Sequence, residues 1–455
     1  MGFFNSYAAL ALVSWSGPDF SKWPIYILSV AFVLGVLVFV HEFGHYAVAK
    51  LCGVRVEVFS LGFGKRLWGF RRGDTDYRIS ALPLGGYVKM AGENPMEERT
   101  GDPGEFTSHP RWQRFLIAIA GPAMNIILAS VVLTVVYMYH HEFFAVYRNP
   151  VEIVSVNPGS AADKAGIRHG DRIVKVEGIQ NPTWEQLLLR MDINPEQPVP
   201  VTLLRDGKQV STTVTPDVNG PNRMGDAGLE PPLVTGAVDP GSPAETAGIR
   251  SGDVLLSVEG KPIQALQDLS QALEKSQSKP VELKVLRNGQ ELTLSVTPRL
   301  METPGSPQKR YRIGISMMQV EQLPFAAAVK ESTADMKSKS LLVFELLGKL
   351  LTKKNSIKQV SSPIGIAQAT GEAAMRGPWE LFELMALISL QLALFNLLPI
   401  PILDGGLMLM LAIEGVIRRD IKQEIKERVY QVAFVFLMLF AAVVIFNDVL
   451  KSFHG

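Results

Sequence analysis

Cysteine is almost absent from this chain: Cys52 is the only one in 455 residues. That excludes an intrachain disulfide and a cysteine zinc cluster, and Cys52 reads as a small side chain packed near a helix end. Histidine is nearly as scarce, at seven, so a histidine pair at ligand spacing carries weight. An excess of one charge is missing too. Forty-five Lys and Arg against 44 Asp and Glu leave +1, which gives no basic signal for nucleic acid. Only 20% of residues are charged while 47% are hydrophobic, a balance suited to a chain that is part membrane and part soluble. The length allows roughly two to four domains. No basic residue precedes the modest apolar stretch Tyr7 to Trp15, so residues 1–24 fit a cleaved signal peptide poorly and read as an N-terminal extension.

Long apolar runs are plentiful by contrast. Four segments near the ~20 residues that cross a bilayer read as spans, over 25–51, 113–140, 380–400 and 429–450. Between the first two, Lys50 to Arg114 carries eleven Lys or Arg residues. After the third come Arg418, Arg419, Lys422, Lys426 and Arg428. The positive-inside rule puts both connections in the cytoplasm. Both termini and everything between spans two and three then lie outside.

Near the end of the first span stands Phe39-Val40-His41-Glu42-Phe43-Gly44-His45. His41 and His45 are one helical turn apart on one face. That spacing lets two imidazoles bind one tetrahedral zinc, with Glu42 placed to activate a water. Two helix-surface histidines beside a satisfied glutamate is the plain alternative. It fares badly, because three such side chains in a membrane-length segment are costly. Rise per residue puts His41 roughly 14 Å from Lys50, below the cytoplasmic membrane surface.

Residues 52–112 do not read as helix. Glycines punctuate Val54 to Met90, and Tyr77-Arg78-Ile79-Ser80-Ala81-Leu82 is extended before Pro83. The expectation is β-hairpins packed close to the histidine helix, with the Tyr77–Leu82 edge free to pair with substrate. In span two, Gly121-Pro122-Ala123-Met124-Asn125 suggests close helix approach. Asn125 serves either helix packing or the metal's surroundings. The third span ends in Asn396, Pro399, Pro401 and Asp404-Gly405-Gly406. By the topology above, Asp404 emerges on the side of His41 and His45. It is the best third ligand, the alternative being a helix N-cap. Asn396 suits holding an unwound substrate backbone. Residues 321–379 have an amphipathic helical pattern without span length, and read as helices on the outer membrane surface. Residues 401–428 form the Asp-Gly-Gly loop and a cytoplasmic segment.

Residues 150–232 and 233–320 repeat each other. Asn157-Pro158-Gly159-Ser160-Ala161-Ala162 returns as Asp239-Pro240-Gly241-Ser242-Pro243-Ala244. Ala165-Gly166-Ile167-Arg168 returns as Ala247-Gly248-Ile249-Arg250, at an offset of 82. A fixed offset held this long means two copies of one domain.

These copies resemble PDZ domains of the bacterial type, which accept an extended chain end as an added strand. By family order, Ala227-Gly228-Leu229 and Ile313-Gly314-Ile315 are candidate carboxylate nests. Tail capture and steric filtering both stay open. The histidine motif, Gly-Pro-x-x-Asn, the tandem copies and Asn-x-x-Pro-x-Pro-x-x-Asp-Gly-Gly together resemble the site-2 protease family. The fold class implied is a multi-pass α-helical membrane protein with four transmembrane helices, a membrane-associated β-hairpin region and two periplasmic PDZ (α+β) domains. The resemblance further implies an intramembrane zinc metalloprotease of the bacterial inner membrane. It would cut single-pass proteins such as anti-sigma factors and signal-peptide remnants. Its Zn2+ ligands map onto His41, His45 and Asp404, its catalytic glutamate onto Glu42, and its substrate-holding asparagine onto Asn396. A PDZ scaffold with a structural or inactive zinc site is the rival. It would need a fourth protein ligand, and none is obvious in the spans.

Overall fold

The computed structural model describes residues 23–93, 101–219, 224–263, 266–303, 306–352 and 363–454. The N-terminal extension before Trp23 lies outside them. The described chain divides into two compact units. One holds the residues up to Met138, Pro324–Glu345, and those from 363 onward. The other holds Tyr139–Leu323 and residues 346–352.

The first unit is mostly helical. Its helices are α1 (Trp23–Cys52), α2 (Arg111–Tyr139), most of α3 (Phe325–Leu351), α4 (Pro363–Arg376), α5 (Pro378–Asn396), α6 (Asp404–Ile417) and α7 (Gln423–His454). Among the described residues, α1, α2 and α5 are long and apolar enough to cross a membrane. Val33 and Leu37 of α1 bury against Met385 of α5, with Leu128 and Val132 of α2 beside them. Apolar burial alone does not drive helices together in lipid, so close approach and polar contacts matter. Gly44 supplies the first, because a Cβ there would overlap the Ala120 carbonyl of α2. Ser389 of α5 supplies the second, donating to the Asn125 carbonyl at 2.8 Å. The third span is shorter than expected and ends at Asn396 rather than Ile400. Pro399 and Pro401 have no N–H to continue the helical ladder.

The expected amphipathic segment holds two described helices, α3 and α4. α4 packs along α1, while Ser332 of α3 meets Thr134 of α2 at 3.0 Å. On α6, Glu414 is fully buried and pairs with Lys426 at 2.6 Å. It also accepts the Ile421 N–H at 3.1 Å.

Between α1 and α2, β1 (Val56–Arg72) and β2 (Thr75–Met90) are long, bent strands. Each folds into two segments. Phe59 has both Val88 and Tyr77 as partners, and Ser60 both Tyr87 and Arg78. Tyr77 and Arg78 in turn also pair with Phe70 and Gly69. The segment order is therefore 66–72, 75–80, 56–61, 86–90. This corrects the expected free edge. Tyr77, Arg78 and Ile79 have partners on both sides, Ser80 pairs with Arg66 and Leu82 with Phe63. The bend that folds each strand back puts 76–79 inside the sheet and leaves 86–90 as one of its edges.

The second unit carries the two copies. Each has a four-stranded sheet in one order: 179–180, 172–176, 199–205, 208–214, and then 261–262, 254–258, 281–287, 290–296. The repeated apolar pattern buries equivalent positions, Ile173, Leu187 and Val214 in one copy and Leu255, Leu269 and Val296 in the other. Even the polar staple repeats. Arg205 clasps Asp171 at 2.6–2.7 Å and donates to the Gly166 carbonyl at 2.7 Å. Arg287 does the same to Asp253 and Gly248. Gly228 and Gly314, the centres of the candidate nests, likewise pack against equivalent serines, Ser160 and Ser242.

Candidate active site

α1 presents His41 and His45 on one face, and their rings meet edge to face with centroids 4.8 Å apart. Their Nε2 atoms are 3.2 Å apart. Asp404 arrives from the first turn of α6, after the turn that Pro399 and Pro401 impose. Its Oδ2 is 3.2 Å from His41 Nε2 and its Oδ1 3.5 Å from His45 Nε2. The three ligand atoms lie within 4.8 Å of one another. Asp404 does not serve as a cap: it is the first helical residue, and Leu403 occupies the cap position.

The other nitrogens of both rings are also engaged. His45 Nδ1 lies 2.7 Å from the Ile117 carbonyl of α2, so it must carry the proton and leave Nε2 free to bind. His41 Nδ1 is 3.3 Å from the side-chain amide of Asn125. Asn125 is fully buried and its Oδ1 has no partner. Metal on His41 Nε2 would place a proton on Nδ1, and that proton needs an acceptor. Turning the Asn125 amide end for end supplies it from the orphaned oxygen. Two imidazoles, one carboxylate and an oriented outer layer are the donor set of a catalytic zinc with an open position. Among the described residues no fourth His, Cys, Asp or Glu joins this group.

Glu42 is held from the other side: the Val88 N–H donates to its Oε2 at 3.0 Å. An aromatic seam fixes the sheet that carries Val88. Phe59 packs on Phe39 and Tyr46, and the Tyr46 and Tyr77 hydroxyls meet at 2.6 Å. Tyr77 is thus an anchor of sheet to helix. Asn396 Nδ2 sits 3.5 Å from His41 Nε2, close enough to share a bound group. Gly121 closes the site, since a Cβ there would overlap the His45 ring and crowd His41.

A family model described as peptidase family M50 matches residues 29–440. The chain belongs to peptidase family M50. Site-2 proteases make up that family, and this member is a zinc metalloprotease. It is 32% identical over 454 residues to the regulator of sigma-E protease RseP of Escherichia coli K12, covering 93% of this chain and 98% of that one. A protein of Salmonella typhimurium with the same name is 32% identical, covering 91% and 96%. A putative zinc metalloprotease of Neisseria meningitidis is 31% identical, covering 93% and 99%.

The structure brings together the side chains that the sequence singled out, His41, Glu42, His45, Asp404 and Asn396, and adds three groups beside them. The Ile117 carbonyl and the Val88 N–H are backbone atoms, which no residue type announces. Gly121 was visible within Gly-Pro-x-x-Asn, though only as a packing glycine.

Proposed function

We propose that the chain hydrolyses a peptide bond in or near the membrane segment of single-pass proteins, such as an anti-sigma factor already trimmed outside, or a signal-peptide remnant. It would do so as a four-span inner-membrane protein, α7 being the fourth span, with both termini and two PDZ domains in the periplasm. One observation carries the reading: His41, His45 and Asp404 converge from two helices, with Glu42 beside them, in a unit of membrane-length helices.

His41, His45 and Asp404 would hold the zinc. When bound, zinc supplies Lewis-acid activation of water and stabilises developing negative charge. Glu42 takes the water's proton and returns it to the leaving amine. Gly121 and Asn125 keep both imidazoles in place. Asn396 steadies the unwound backbone, which adds as a strand to the 86–90 edge beside Glu42. A helical substrate hides its carbonyls in its own ladder, so local unwinding precedes attack.

For the PDZ pair, two features support exclusion of bulky proteins over tail capture. Pro231 and Pro232 remove two N–H donors just after the first nest. After the second nest, Met318–Glu321 already pairs with His141–Phe144.

The test is co-expression of single-pass candidates with the wild-type and Glu42→Gln forms. Fragments should come from the wild type alone, with zinc retained by both. Cleavage by purified Glu42→Gln would overturn the assignment.

A further inference from the structure

The 86–90 segment is an edge whose outward donors are already spoken for. Backbone groups point to alternate sides of a strand, so Tyr87 and Lys89 face their partners in β1 while Val88 and Met90 face away. The Val88 N–H donates to Glu42 Oε2 at 3.0 Å. The Met90 N–H donates to Glu93 Oε2 at 3.2 Å. One of these carboxylates is the catalytic one. The other belongs to a residue whose charge is within electrostatic reach of Glu42, His45 and Asp404, and to which the reaction above gives no task.

A strand that joins this edge must bring carbonyls to Val88 and Met90, and so must displace both carboxylates. Glu42 then turns to the reacting centre. Glu93, set free, presents a negative charge to whatever flanks the strand. Its carboxylate carries a full negative charge, so an incoming cation gains beside it and an incoming anion loses. Single-pass proteins carry Lys and Arg on their cytoplasmic flank, the flank nearest this edge in the topology above.

We propose that Glu93 is a specificity-determining residue: it seals the substrate edge at rest and, once displaced, recognises a basic residue on the cytoplasmic flank of the substrate. This rests on the reading that substrate adds as a strand to 86–90 and that Glu42 is the general base.

The experiment uses the full chain in proteoliposomes. The probes are three synthetic transmembrane peptides, identical but for a Lys-Lys, Gln-Gln or Glu-Glu cytoplasmic flank. Wild type should cleave the Lys-Lys peptide with kcat/KM roughly fivefold above Gln-Gln, with Glu-Glu lowest and the difference carried by KM. Glu93→Gln should level the series, and Glu93→Lys should invert it. A wild type indifferent to the flank overturns the proposal without any variant. So does a Glu93→Gln chain of normal zinc content that keeps the full ranking. Failure of the underlying reading shows differently, as a Glu42→Gln chain that still cleaves all three peptides.

Discussion

The ring N–H of His45 ends on the carbonyl oxygen of Ile117, 2.7 Å away on α2. A helix that contributes no ligand therefore decides which nitrogen of a ligand is free. The same helix offers Gly121 to the metal-facing side of that ring and Asn125 to its partner.

Gly121→Ala places a methyl where the His45 ring stands. The expected outcome is at least a tenfold loss of zinc affinity in a protein with unchanged helix content, read by elemental analysis and circular dichroism. Wild-type zinc retention in competition with a chelator would show that the ring has room to move.

Asn125→Ala removes the partner of His41 Nδ1. Loss of such an orienting group typically costs 10–100-fold in metal affinity or activity. Asn125→Asp keeps an acceptor and should recover part of that loss. Competitive zinc chelation of the three proteins decides it.

Tyr77→Phe and Tyr46→Phe each delete one hydroxyl of the 2.6 Å pair that ties the sheet to α1. Each should cost about 1 kcal/mol, and the double change should cost no more than either single one. Thermal unfolding of all four proteins tests this, with additive losses as the contrary result.

The repeated staple makes a pH prediction. Burial pushes the Asp171 and Asp253 carboxyls up, but Arg205 and Arg287, with the N–H groups of Arg168 and Arg250, outweigh it and hold both below the usual range. A depressed carboxyl contributes stability that is complete above the unfolded value near pH 4 and is lost as pH falls below it. Asp171→Asn should lower stability at neutral pH by removing the charge that Arg205 clasps, by about the 1 kcal/mol of one hydrogen bond since the guanidinium stays partly in water. It should also flatten the acid decline for the first copy only. Thermal unfolding between pH 3 and 7 would detect both effects.

How far these features were legible from sequence varied by element. His41 and His45 could be read because helical spacing puts i and i+4 on one face, and Asp404 because counting spans brought it to the same side. The duplication was visible from its offset and returned as the same sheet order and the same Arg–Asp staple. Tyr77–Leu82 is extended as expected, but Tyr77, Arg78 and Ile79 lie between two partners rather than at an edge. Alternation identifies a strand but not its neighbours, and the bend that folds β1 and β2 back on themselves leaves no periodic trace. Asn125 could not be assigned, because an amide in an apolar helix looks the same whether it bonds a helix or an imidazole.

Both margins of the small sheet beside α1 are guarded, and by opposite signs. One has its donors covered by Glu42 and Glu93. The other, 66–72, is lined by Arg66, Arg71 and Arg72. Two copies of this protein drifting together in a crowded bilayer could not zip like margin to like without forcing equal charges into register. An open margin invites such self-pairing, and equal charges oppose it where two margins of the same kind would meet.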